Sequence, residues 1–288
     1  MAEMPRRPYG RTDDQLSIIG FGGIAVMNAE PDRARRIVAE AIERGVNYFD
    51  VAPTYGDAEV KLGPALEPYR KSVFLACKTT QRQRGPAAEE FRRSLERLRT
   101  DHLDLYQLHC LADVKKDVDV AFDKGGVMEL AIEEKKAGRV RYLGFSAHTE
   151  EAALAAMERY DFDSVLFPIN FCTFLTSNFG ARVIAEARKR GMAALALKAL
   201  ARQQWPKDDP QRKSFAKCWY QPATDRREAE LALRFTLGQP ITAAVTPGEE
   251  VMLRLALDLA PAFRPLTDPE LAELRALAAR LNPIFPAA

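Results

Sequence analysis

Four side chains in this 288-residue sequence have the types that carbonyl chemistry needs: the carboxylate Asp50, the phenol Tyr55, the ammonium Lys78 and the imidazole His109. Asp50, Lys78 and His109 each close a short apolar run, after VNYF, VFLAC and LDLYQL, and Tyr55 follows within APTYGDAE. A phenol with a reference pKa near 10 is a poor proton donor at neutral pH unless a nearby cation favours its phenolate. A buried lysine supplies that field but needs a carboxylate to stay charged away from water. Asp50 can serve Lys78, Lys78 can serve Tyr55, and His109 can hydrogen-bond a substrate oxygen. Such a set holds a proton donor and a carbonyl clamp, which suits carbonyl reduction. Taken singly each residue has a plainer reading. A strand-end carboxylate is commonly a turn residue, a lysine stem covers apolar surface, a lone histidine is usually a structural donor, and Tyr55 beside Gly56 can be loop packing. What joins them is their shared position. Ser146, Asn170, Lys198 and Thr246 likewise follow apolar runs.

Those runs are the strands that must position the set. Short β-branched or apolar stretches at 18–21, 46–49, 73–77, 103–108, 140–145, 164–169, 193–197 and 241–245 read as eight strands. Helix-period segments lie between them. Ala34, Ile37, Val38, Ala41 and Ile42 line one helical face within 32–44, with Gly45 placed to end it. Ala88, Phe91, Leu95 and Leu98 do the same in 86–98, and Thr149 can cap a helix beginning Glu150-Glu151. Segments 126–136, 179–189, 227–237 and 269–281 behave similarly. Strands alternating with helices imply parallel pairing and right-handed crossovers. Eight units with no linker predict an α/β fold, a closed (β/α)8 TIM barrel forming a single domain over 1–288. In that architecture the strand C-termini surround the active site. The interval at about 199–226 is predicted to form a long loop over the barrel mouth.

Lys plus Arg number 42 against 40 Asp plus Glu, a net charge of +2. No whole-chain field favours nucleic acid or an acidic membrane. The longest apolar run, residues 18–27, contains three glycines and is half the length a membrane span needs. The first fifteen residues lack a secretory h-region. Four scattered cysteines without a CxxC point to a reducing, cytoplasmic setting and no zinc or iron–sulfur site, so no metal is expected. His102 and His148 have no ligand-like spacing. Gly20-Phe21-Gly22-Gly23-Ile24-Ala25 matches a dinucleotide fingerprint, but Pro31 follows too soon for its crossover helix. Gly22 and Gly23 are read instead as a close backbone approach to a ligand or a turn.

The sequence resembles the aldo-keto reductase superfamily over nearly its whole length. The likeness rests on GVNYFDVAPTYGDAEVKLG (45–63), VFLACKT around Lys78, LDLYQLHC (103–110), RVRYLGFSAH (139–148) and LRFTLGQPITAAVTPG (233–248). The family's catalytic tetrad falls on Asp50, Tyr55, Lys78 and His109. The resemblance implies a barrel that binds NADP(H) extended across its mouth. Hydride would pass to the carbonyl carbon of a small-molecule substrate, with Tyr55 as proton donor and His109 orienting the oxygen. Gly22, Gly23, Asp50, Ser146, His148, Asn170, Lys198, Thr246, Pro247 and Gly248 are the expected cofactor contacts. Met27, Phe171, Trp205, Trp219 and Tyr220 are candidate walls of the substrate pocket. Monomer is the default.

The cofactor side departs from the family pattern. Ala147 stands where an Asn is usual, Leu166 where a Gln is, and Leu197-Lys198-Ala199-Leu200 where an aromatic often stacks on nicotinamide. Lys198 itself matches a branch with Met-Lys-Pro-Leu there. Glu249 and Glu250 replace a basic residue, with Arg254 the only nearby cation in sequence, so NAD(H) is a second expectation. Two rival functions stand beside this: a barrel serving as a binding or regulatory subunit, which the weakened site favours, and a redox-neutral lyase or isomerase using the same four residues with tightly held cofactor.

Overall fold

The computed structural model describes residues 3–285. Eight parallel strands close a barrel: β1 Ile19–Gly22, β2 Tyr48–Asp50, β3 Phe74–Thr79, β4 Leu103–Leu111, β5 Val140–Ala147, β6 Ser164–Pro168, β7 Ala193–Leu197 and β8 Ala243–Val245. Each pairs with its sequence neighbour, and β8 closes against β1. All eight predicted strands are present, with ends that differ by at most three residues.

The larger shifts have a cause. β2 and β8 begin two residues later than expected because the chain just before them binds an N-terminal hairpin, Arg6–Pro8 paired with Gln15–Ser17, which the sequence reading omitted. Asn47 Oδ1 accepts from the Ser17 amide at 2.7 Å, and the Thr242 hydroxyl donates to Pro8 O at 3.0 Å. The hairpin closes the barrel floor. Tyr9 at its turn is fully buried, 5.0 Å from the ring of Phe74 and 5.1 Å from that of Tyr142.

Side chains alternate along a strand, so residues two apart share a face. Tyr48, Phe74, Ala76, Leu105, Leu166, Leu195 and Val245 fill the barrel interior together with Tyr9 and Leu16. Asp50 lies two residues above Tyr48, Lys78 two above Ala76 and Gln107 two above Leu105. The lower layers are therefore apolar, and the layer nearest the mouth is polar. The other strand face packs on the helices through a separate, larger apolar cluster.

Among the described residues ten helices surround the barrel, short turns aside: α1 Pro31–Glu43, α2 Ala58–Leu66, α3 Arg84–Leu98, α4 Val127–Lys136, α5 Glu150–Arg159, α6 Phe171–Ser177, α7 Ala181–Lys189, α8 Arg226–Leu237, α9 Glu250–Leu259 and α10 Asp268–Ala278. Thr149 caps α5 as expected, accepting from the Ala152 amide. Helices α2, α6 and α9 were not anticipated, and the predicted segment 179–189 begins only at Ala181. A single 3-10 turn, Gly23–Val26, follows β1, so no dinucleotide-binding crossover forms there. Among the described residues no helix is long and apolar enough to cross a membrane.

Candidate active site

Register sets the polar layer. Asp50 pairs with Ala76 across β2 and β3, and Lys78 pairs with Gln107 across β3 and β4. Asp50 and Lys78 are each 1% exposed. The Lys78 ammonium donates to Asp50 Oδ1 and to Val51 O, the latter at 3.2 Å. Asp50 Oδ2 accepts from the Tyr48 hydroxyl at 3.1 Å and from Gln107 Nε2 at 2.9 Å. Tyr48 and Gln107 are supporting residues that the sequence reading missed, although their strand parity with Asp50 and Leu105 is visible in the sequence.

Tyr55 sits in the turn between β2 and α2, where its amide donates to Ala52 O and its carbonyl accepts from Ala58. Lys78 Nζ is 5.3 Å from the centre of its ring. The His109 ring stands edge-on to Tyr55, centroids 5.8 Å apart at 85°. All four side chains of the tetrad meet at the mouth.

The electrostatics correct one expectation. Burial raises the Tyr55 phenol above its ordinary pKa, and the opposing pull of Lys78 does not overcome it. Burial also works against the Lys78 charge, but Asp50 and then Tyr55 more than offset it and hold the ammonium above its usual value. His109 is pushed down to about 2, by burial first and by the Lys78 charge second, so its imidazole is neutral.

β4 is irregular at its end, where its register against β5 shifts between Leu108 and Leu111 and Cys110 takes a left-handed φ of 60°. The Cys110 amide donates to the Ser146 hydroxyl at 2.7 Å, leaving that hydroxyl a proton to donate elsewhere. His148 bridges Cys110 Sγ at 3.2 Å and Lys198 Nζ at 3.4 Å. Burial pushes its pKa down to about 3. Asn170 is fully buried, and its Oδ1 caps α6 by accepting from Thr173. Its Nδ2, like His109 Nδ1 and Gln107 Oε1, is a buried polar atom with no protein partner. Native proteins rarely leave such atoms unpaired. These three lie at the mouth ends of β4 and β6.

Gly22 and Gly23 are each required by protein packing. A Cβ at Gly22 would lie 2.3 Å from Thr246 O, and one at Gly23 would lie 2.8 Å from Val51 Cβ. Gly248 is similar, crowded by Ile24 and Lys217. The Thr246 hydroxyl accepts from the Gly22 amide at 3.0 Å. Around Gly248 the charges also differ from expectation. Glu249 accepts from the Lys217 amide at 2.7 Å, and Glu250 pairs with Arg33 and Arg254. Arg254 is therefore not the only cation: the long loop brings in Lys217, whose ammonium donates to Ala25 O at 2.8 Å, and α1 brings in Arg33.

Two candidate pocket walls make other contacts. Phe171 is fully buried in an apolar cluster with Cys172, Leu231, Phe235 and Leu274, between helices. Trp205 Nε1 donates to Cys218 O at 2.9 Å, pinning the loop to itself. Met27 packs beside Gly56, one residue from Tyr55. Tyr220 is buried and contributes to a cluster with Cys218 and Ile284, next to Phe285. Trp219 is exposed and stands over Lys198, as does Phe285, a chain-end aromatic that sequence reading did not pick out. Among the described residues no three His, Cys, Asp or Glu side chains are grouped to hold a metal.

A closed (β/α)8 barrel with a carboxylate, ammonium, phenol and imidazole converging at its mouth has the arrangement of an enzyme site. The family model described as aldo/keto reductase matches residues 18–279, and the chain belongs to that family. An uncharacterized oxidoreductase of Bacillus subtilis is 33% identical over 159 residues, covering 50% of this chain and 49% of that protein. The match thus spans about half of that relative. L-galactose dehydrogenase of Arabidopsis thaliana is 24% identical over 274 residues, covering 86% of this chain and 85% of that protein. An aldo-keto reductase of Bacillus halodurans in its holo form superposes with a TM-score of 0.74 at 24% identity, covering 96% of both chains, which shows the common fold.

Two stability outcomes follow. Asp50→Ala leaves the Lys78 ammonium buried and unpaired and should cost about 3–5 kcal/mol in urea unfolding. Adding Lys78→Met should recover part of that loss, and a double variant no more stable than Asp50→Ala would show that the pair is not coupled. The second concerns acid. His109 and His148 have folded pKa values below the unfolded value near 6.5, so the unfolded chain takes up protons that the native state refuses as pH falls. Stability is full above about pH 6.5 and should drop by about 1.4 kcal/mol per pH unit per histidine below it. Denaturant midpoints measured between pH 7.5 and 5 check this, and His148→Gln should roughly halve the slope.

Proposed function

We propose that the barrel reduces an aldehyde or ketone to an alcohol, with a nicotinamide dinucleotide as reductant. The observation that carries this is the convergence of Tyr55, His109 and the Lys78–Asp50 pair in one pocket. Three unpaired buried atoms support a bound dinucleotide: Asn170 Nδ2 is a free donor suited to the nicotinamide carboxamide, and His109 Nδ1 and Gln107 Oε1 are likewise without a protein partner. These groups stand in for the family's Asn and Gln, whose positions hold Ala147 and Leu166. When bound, the dinucleotide supplies a hydride to the carbonyl carbon.

The protein's own groups handle the oxygen. The neutral His109 imidazole offers a hydrogen bond without adding charge. Tyr55, its pKa raised by burial, keeps its proton in the ground state. As the carbonyl oxygen gains alkoxide character it becomes far more basic than a phenolate, and the proton transfers. The Lys78 ammonium then stabilises the phenolate left behind, and Asp50 keeps that ammonium charged. Tyr55→Phe should lower kcat by about a hundredfold or more while the dinucleotide Kd changes little. Substantial turnover in that variant would remove Tyr55 as the acid.

Lys217 bears on which dinucleotide is used. It is a cation near Gly248 whose ammonium is bonded to a carbonyl and not to a carboxylate, and it supports a 2′-phosphate despite Glu249 and Glu250. Fluorescence titration should give tighter binding of NADPH than of NADH, with the gap narrowed in Lys217→Met. A lower Kd for NADH would overturn this preference.

A further inference from the structure

The reduction proposed above uses Lys78 but gives no task to the second buried lysine at the mouth. Lys198 follows β7, is 8% exposed, and holds a left-handed φ of 64° that a side-chain-bearing residue adopts only when its surroundings impose it. No carboxylate pairs with it among the described residues. Its ammonium contacts His148 Nε2 at 3.4 Å and lies 5.6 Å from the ring centre of Trp219 and 5.5 Å from that of Phe285. An ammonium has no lone pair, so Nε2 must be the acceptor, and the imidazole proton sits on Nδ1, facing Cys110 Sγ. Aromatic faces and one neutral imidazole soften the charge without neutralising it. Two N–H bonds of the ammonium have no protein acceptor among the described residues.

The position of this charge matters as much as its isolation. Cys110 adjoins His109 in the chain, and the Lys198 charge is among those that keep the His109 imidazole neutral. Lys198 therefore belongs to the carbonyl end of the mouth, whereas Lys217 lies by Gly248 at the end of β8. We propose that Lys198 binds a carboxylate carried by the substrate, so that the enzyme prefers oxo acids, with a carbonyl and a carboxylate on one short chain or ring. This rests on the carbonyl reduction above and names its substrate class. A desolvated cation with free N–H donors gains strongly from an entering carboxylate, while a neutral aldehyde leaves it uncompensated.

Initial rates with saturating NADPH test this with two matched pairs, 4-oxobutanoate against butanal and 2-carboxybenzaldehyde against benzaldehyde. The expected result is a kcat/KM favouring the acid by at least about tenfold in one pair or both. Lys198→Met should bring that ratio close to one, and Lys198→Arg should keep it above one. The wild-type ratio needs no variant, so misfolding of Lys198→Met leaves the test intact. A wild-type ratio near one or below in both pairs overturns the proposal. So does a ratio that survives in Lys198→Met while NADPH binding weakens, which would assign the cation to the dinucleotide. Reduction of the neutral aldehydes without an acid preference sinks only the carboxylate assignment, whereas no reduction of any of the four compounds sinks the reductase reading as well.

Discussion

The site depends on keeping a lysine charged inside a barrel. Lys78 is 1% exposed, and an ammonium that deep is stable only with a full counter-charge and satisfied hydrogen bonds. Asp50 supplies the charge, and its second oxygen is in turn held by Tyr48 and Gln107. Four side chains from three adjacent strands are thus fixed relative to one another before any ligand arrives. Tyr55 and His109 are the two groups at the edge of this network that face the mouth, and burial sets the direction in which each pKa moves, against the Lys78 charge for Tyr55 and with it for His109. The same positive charge that can stabilise a phenolate also helps to keep the imidazole neutral.

The fold separates stability from chemistry along the barrel axis. At the floor, Tyr9 and the hairpin seal a largely apolar interior, and Phe74 and Tyr142 pack against the plug. At the mouth, polar side chains stand at or beside the strand ends: Asp50, Lys78, His109, Ser146, Asn170, Lys198 and Thr246. Period-two alternation links the two ends, because a residue facing the apolar core places the residue two positions later in the polar layer. Strand C-termini therefore become a site without any rearrangement of the core, and the surrounding loops can vary independently.

Much of this was legible in the sequence. Eight apolar runs, seven of them followed by a polar residue, pointed to the barrel, and the four site residues could be read from residue type, three at strand ends and Tyr55 in the loop after the second strand. What stayed hidden was non-local or broke a period. Helix α2 contains Gly63 and Pro64, which read as loop; a Cβ at Gly63 would lie 2.1 Å from Arg97 O, so the glycine permits close packing of α2 on α3. The run VMLRLALDL in α9 buries Met252, Leu253, Ala256 and Leu257 on one face, a pattern partly masked by the apolar residues Val251, Leu255 and Leu259 around them. Asn170 showed only its polar strand-end position, not that one atom caps α6 while the other is left free. The long loop's cation Lys217 lies more than thirty residues before Glu250 in the sequence, and only the fold brings them together. The direction of the Tyr55 shift was likewise unreadable, because it depends on how much burial surrounds the phenol, not on which cation is near.

The two buried lysines at the mouth show how a barrel can assign different roles to the same side chain. Lys78 and Lys198 are both more than nine-tenths buried, and burial is the largest influence on each. Their pKa values nonetheless move in opposite directions: Lys78 is raised, while Lys198 falls to about 8. The difference is a single carboxylate. Asp50 satisfies Lys78 permanently, which makes it fixed machinery whose field is constant through a reaction cycle. Lys198 meets only rings and a neutral histidine, so its charge is stabilised least when the mouth lacks an anion. Its left-handed backbone adds to that cost. An arrangement that carries both an unpaired charge and a strained residue at one point persists when something outside the protein completes it, and the chemistry of that point calls for an anion.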